Sequence, residues 1–211
     1  MPLVDMPLEQ LKSYEGRNPR PEDHDAYWAR ALAEMAVVDS DVQLVPHAMN
    51  APYAECFDLY FTGVRGARIH AKYVQPAASA GKHAAGKHPA VLLFHGYTMS
   101  SGDWSDKLKW AARGISVAAL DCRGQGGLSE DIGGVKGTTH RGHVDVQHPA
   151  PRVRARTLMA VGLMDEICPP STQFAAYNRM TCPKSLVIYP DFAHENLPGV
   201  DEIVYELLAA P

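Results

Sequence analysis

The sequence predicts an α/β protein with a mostly parallel sheet flanked by helices. Three observations point there. Ala90-Val91-Leu92-Leu93-Phe94 and Ile115 to Asp121 are apolar runs separated by a helical stretch. Strand, helix, strand and helix then recur between Thr157 and Leu208. Polar residues with usable chemistry follow the strand ends, where open α/β sheets place their sites.

The elements follow in order. Pro7 to Lys12 reads as a short helix. Pro21 opens a longer one from Glu22 to Met35, with acidic residues in its first turn where the helix dipole favours them. Tyr27, Ala31 and Met35 recur at helical spacing as an apolar stripe, widened by Trp28 and Leu32. Cys56 to Thr62 and Arg68 to Val74 alternate around a Gly63–Gly66 turn, an antiparallel hairpin with one wet face. Ala77 to Lys87 is a small, polar loop. The run 90–94 carries the mark of a strand buried on both faces. With helix Trp104 to Ala112 and strand 115–121 it forms a parallel βαβ unit. Residues 123–156 show almost no regular pattern, an unusual length of irregular chain inside a compact domain. Strand 157–161, helix 171–178, strand 185–189 and helix 200–208 complete the chain as one domain.

Composition sets outer bounds. The chain has 211 residues, 46% hydrophobic and 21% charged, ordinary values for a globular domain with a sizeable core. A net charge of −4 gives no reason to expect nucleic acid or an anionic membrane as partner. No apolar run approaches a membrane span, and the start, Met1-Pro2-Leu3-Val4-Asp5, lacks a basic and apolar leader pattern. Cys56, Cys122, Cys168 and Cys182 are widely spaced and read as reduced, mostly buried thiols of a cytoplasmic protein.

Two residues stand out chemically. Asp165 ends the apolar strand Val161-Gly162-Leu163-Met164. A carboxylate there can orient an imidazole and stabilise its protonated form; the alternative is an acidic cap, for which Ser171 is the better candidate. His194 follows the next buried strand and can shuttle a proton between nucleophile and leaving group. The third partner is missing, because the chain contains no Gly-x-Ser-x-Gly turn.

Other segments carry weaker signals. His95-Gly96-Tyr97 closes the first buried strand, where backbone N–H groups can stabilise a developing oxyanion. Arg123-Gly124-Gln125-Gly126-Gly127 fits neither phosphate-binding fingerprint and reads as an arginine bracing the site loops. His140, His143 and His148 would be a metal site only with a fixed geometry that loose spacing does not supply, so no metal is expected.

Together these segments resemble the acetyl xylan esterase / cephalosporin C deacetylase group, carbohydrate esterase family seven. The likeness runs over 1–143 and roughly 153–208. It includes Tyr60 to Gly66, His95-Gly96-Tyr97, Gly102-Asp103-Trp104, Asp121 to Gly127, Cys168-Pro169-Pro170-Ser171 and His194-Glu195. The resemblance implies an α/β-hydrolase-like fold and a carboxylic ester hydrolase without cofactor. Asp165 and His194 would be acid and base of the triad. Tyr97 and Gly96 would serve the oxyanion hole, while Arg123, Gln125 and Glu195 brace the site. It also implies a small acetylated carbohydrate or cephalosporin as substrate, and assembly into a homo-oligomer.

The departure is equally specific. The family's nucleophile strand, serine elbow, following strand and lid are replaced here by the linker 144–152, which reads as an internal deletion. One expectation follows for the fold: strand 90–94 pairs directly with strand 157–161. The competing outcomes are unfolding and assembly through an exposed edge. Three functions follow. The first is a serine esterase using Ser100, Ser101 or Ser171 in place of the lost nucleophile. The second is a non-catalytic remnant that binds acetylated sugar or full-length relatives. The third is a product with no selected role, and a metal-dependent hydrolase resting on the histidine cluster is the outsider.

Overall fold

The computed structural model describes residues 4–77, 89–132 and 141–209. The chain divides into two compact units, Ala29–Lys136 and Met1–Trp28 with Gly137–Pro211.

In the first unit, β1 (Gln43–Pro46), β2 (Ala54–Thr62), β3 (Arg68–Pro76), β4 (Ala90–Phe94) and β5 (Ser116–Leu120) form one mixed sheet in the order β1-β2-β3-β5-β4. The hairpin expected around Gly63–Gly66 is β2–β3, paired from Thr62↔Arg68 to Ala54↔Pro76. β3 meets β5 antiparallel, and β5 meets β4 parallel in the register Val91↔Val117. Helix α1 (Leu8–Leu11) belongs to the other unit, α2 spans His24–Ala36, and α3 is Ser105–Ala111. Helix α3 buries Trp110 and Ala111, and the sheet buries Ile69, Ala71, Val74, Val117 and Ala119. The β4–α3–β5 crossover is the βαβ unit the apolar runs predict.

The second unit holds β6 (Thr157–Gly162) and β7 (Lys184–Tyr189), parallel and joined by α5 (Pro170–Arg179), with α6 at Val200–Ala209. Short helix α4 (Arg141–Val144) and a 3-10 turn at Ala150–Arg152 fall within the stretch read as irregular. Leu11, Val161 and Phe174 form the core here, packed by Met6, Leu8, Met159, Leu163, Leu186 and Ile188. Each end of α5 is closed from outside the helix. Asp5 Oδ2 accepts the Ser171 backbone N–H at 2.7 Å, so the acidic cap comes from the N-terminal segment and not from the Ser171 hydroxyl. At the other end Lys184 Nζ donates to the carbonyls of Tyr177 and Met180, both at 2.7 Å.

Three expectations are corrected. Among the described residues the expected pairing of strand 90–94 with 157–161 is not formed: β4 bonds to β5, and β6 to β7. Each strand finds its partner through its own local crossover helix, and residues 121–156 supply no described strand to join the two sheets. β4 is therefore an edge strand, not one buried on both faces, with Leu92 67% and Phe94 68% exposed. The stripe on α2 is largely uncovered as well, since Leu32 and Met35 are exposed. Among the described residues no helix is long and apolar enough to cross a membrane.

Candidate active site

β6 delivers Asp165 through a two-residue extension, and the loop after β7 delivers His194. Two backbone bonds tie these segments together: Leu163 N–H to Tyr189 O at 3.0 Å, and Met164 N–H to Phe192 O at 2.9 Å. Gly162 permits that approach. A Cβ placed there would stand 2.5 Å from Phe192 O and 2.8 Å from Ala193 O, closer than any side chain tolerates.

His194 Nδ1 lies 2.9 Å from Asp165 Oδ2. The other carboxylate oxygen, Oδ1, accepts the backbone N–H of Ile167 at 2.9 Å and of Cys168 at 2.7 Å. Burial works to raise the Asp165 carboxyl, but the Cys168 N–H, His194 and the Ile167 N–H outweigh it and hold the group below its ordinary value. An ionised carboxylate only accepts, so His194 Nδ1 donates to it, and in the neutral form of the ring Nε2 keeps the lone pair. Asp165 is buried, whereas the His194 side chain is 51% exposed. Glu195 Oε1 accepts the Ala193 N–H at 3.0 Å and shapes the turn that presents the histidine. Among the described residues no hydroxyl is hydrogen-bonded to His194.

The residues after β4 and β5 lie in the other unit. His95 ties the two strand ends together: its Nδ1 donates to Gly96 O at 2.8 Å and its Nε2 accepts the Cys122 N–H at 2.9 Å. Tyr97 is exposed. Gln125 Oε1 accepts the Thr98 N–H at 2.6 Å, holding a residue whose φ of 64° is left-handed. Arg123 donates to Val64 O at 3.3 Å. Of the alternative serines, Ser101 is buried with its N–H on Asp121, and Ser100 Oγ accepts the Gly102 N–H at 3.3 Å.

Sequence reasoning missed a buried polar network beside these loops. Asp121 Oδ1 accepts the Ser101 N–H at 2.6 Å, while Oδ2 takes the Leu128 N–H at 3.0 Å and His70 Nδ1 at 2.6 Å. His70 Nε2 reaches Asp58 Oδ1 at 2.9 Å, and Asp58 Oδ2 holds His47 Nδ1 at 2.9 Å. Burial pushes the Asp121 carboxyl up, but the Leu128 and Ser101 N–H groups and His70 bring it down to about 2. Gly127, at φ +97°, packs where a Cβ would fall 2.2 Å from the Asp121 carboxyl carbon, so the glycine-rich loop wraps this carboxylate. The available signal was Asp121 at a strand end. Alternation along the hairpin gives no sign that the polar His70 and Asp58 side chains join this network.

His143 and His148 of the irregular stretch lie against the His24 and Tyr27 rings of α2. His143 Nε2 pairs with Asp23 at 2.8 Å, and His148 lies edge-on to the buried His24. His140 lies outside the described residues. All four cysteines are free thiols, but they are not mostly buried as expected: Cys56 is buried, Cys122 and Cys182 are partly buried and Cys168 is exposed.

Parallel strands with crossover helices and a strand-end carboxylate bound to a loop histidine form an α/β-hydrolase type of scaffold, the class to which esterases of this architecture belong. The acetyl xylan esterase (AXE1) family model matches residues 1–144 and 142–209, and the chain belongs to that family. The structure is similar to acetyl xylan esterase 1 from Thermoanaerobacterium sp. JW/SL YS485, with 33% identity and a TM-score of 0.89 over 97% of this chain and 98% of that one. An acetyl xylan esterase from Paenibacillus sp. R4 shares the fold at 23% identity and a TM-score of 0.83, covering 96% of this chain and 99% of that one. A cold-adapted esterase from an Arctic intertidal metagenomic library shares it more distantly, at 14% identity and a TM-score of 0.57, covering 81% and 98%.

Proposed function

We infer that this chain is directed at small acetyl esters, such as acetylated xylo-oligosaccharides or cephalosporin-like acetates, as an acetyl esterase with strongly weakened turnover. One observation carries this reading: the Asp165–His194 pair is assembled at 2.9 Å while the sequence holds no Gly-x-Ser-x-Gly turn. His194 Nε2 has the lone pair that a general base needs, and Asp165 fixes its tautomer. Gly96 and Tyr97 would supply oxyanion donors, with Arg123, Gln125 and Glu195 holding the loops. Residues 1–211 would then be one α/β-hydrolase domain in which the linker 144–152 stands for central strands and lid. The family match supports this, since it falls into two segments that meet at 142–144. Free thiols suit a reducing, cytoplasmic setting.

Acetate release from acetylated xylo-oligosaccharide and from cephalosporin C tests the reading. We expect slow, saturable release that falls further in His194→Ala, with acceleration over the uncatalysed reaction no greater than about 10⁴-fold. Release that is unchanged in His194→Ala would sink it. Saturable binding with no release would favour a non-catalytic remnant, a reading supported by the missing elbow.

Homo-oligomerisation has its own structural argument. β4 is an apolar edge with Leu92 and Phe94 exposed, and among the described residues no strand pairs along its outer side. Such edges recruit further strands. Changing both residues to lysine should shift the protein toward monomer in sedimentation velocity; an unchanged distribution places any assembly elsewhere.

A further inference from the structure

The geometry points to a metal site that uses Asp165, Cys168 and His194 as ligands for a zinc-like divalent ion. One potential ligand atom from each, a carboxylate oxygen, a thiol sulfur and a ring nitrogen, lies within 4.8 Å of the other two. This donor set suits the ion. Thiolate and imidazole are the ligands borderline-soft Zn²⁺ prefers, and a carboxylate completes a three-residue set of the kind that leaves a fourth position open.

The backbone already fixes part of the site. Asp165 is buried, with Oδ1 held by the N–H groups of Ile167 and Cys168, so its second oxygen has a set direction. His194 and Cys168 are exposed, which leaves both free to close the last ångström or so around an ion. Cys168 also lines a cleft of about 600 Å³ with Asp5, Tyr14, Arg17, Asp145 and Gln147. In the metal-free protein the proton on His194 Nδ1 bridges to Asp165. Binding through Nδ1 moves that proton by way of solvent to Nε2, and the thiol S–H bond gives way to a metal–sulfur bond with the thiol proton released to solvent, so affinity falls as the medium becomes acidic. A metal bound here occupies the very pair that would otherwise act on esters. Occupancy therefore competes with hydrolysis, and the inference stands whether or not the chain has esterase activity.

Titration of the reduced, chelator-treated protein with Co²⁺ alone tests it directly. We expect a thiolate-to-cobalt charge-transfer band that saturates at one equivalent and is displaced by Zn²⁺. It should vanish in Cys168→Ser, persist in Cys182→Ser, and require at least about tenfold more cobalt in His194→Ala. Circular dichroism of the two surface variants should match the parent, since both side chains are exposed. No band in the parent protein, or a band that survives Cys168→Ser, overturns the inference. Since the readout is absorption and not ester cleavage, failure here leaves the esterase reading untouched.

Discussion

Asp121→Ala is expected to destabilise the protein by about 3–5 kcal/mol, the cost of removing one partner from a buried charged network. The change strips the Ser101 and Leu128 N–H groups and His70 Nδ1 of their acceptor at once. His70 is as buried as Asp121, so water cannot replace the lost bonds. Chemical denaturation with circular dichroism would measure the loss. The same carboxylate predicts an acid dependence. Its folded value, about 2, lies below the ordinary 3.8. Its contribution is therefore fully present above the ordinary carboxylate range and is lost as pH falls through about 2. The alanine variant should lack this part of the acid transition. A variant as stable as the parent would show that the network contributes nothing net.

Gly162→Ala is expected to separate Asp165 from His194. The added methyl cannot avoid the carbonyl oxygens of Phe192 and Ala193, and both belong to backbone that has no rotamer to change. Overpacking of this kind costs about 1–3 kcal/mol. The loop between β7 and His194 must shift, and the 2.9 Å bond to Asp165 shifts with it. Proton NMR gives the readout: the downfield Nδ1–H resonance of His194 in the parent should broaden or disappear in the variant. Persistence of that resonance would show that the loop yields without disturbing the pair.

Much of this architecture was legible in the sequence, for local reasons. The hairpin β2–β3 and the unit β6–α5–β7 are encoded by period and turn residues within short windows, and both appear with nearly the expected bounds. Asp165 and His194 could be found because each follows a buried strand. What failed depends on what lies beside an element. The run 90–94 reads as doubly covered because its composition suits a central strand, yet among the described residues no strand pairs along one side of it. β1 gave no signal, since its four residues are all exposed. Cys168 looked like one more buried thiol; only the turn that points its N–H at Asp165 brings it beside the histidine. Asp58 and His70 carry polar side chains inward, a choice that alternation along a strand cannot reveal.

The account rests on an acid–base pair to which no hydroxyl is hydrogen-bonded among the described residues. Reaction with a fluorophosphonate, which captures any serine oxygen activated by a histidine, tests this most directly. After prolonged exposure, intact-mass analysis should show no stoichiometric serine adduct in the parent protein and the same result in His194→Ala. One adduct per chain on a single serine, lost in His194→Ala, would contradict the account and identify the nucleophile.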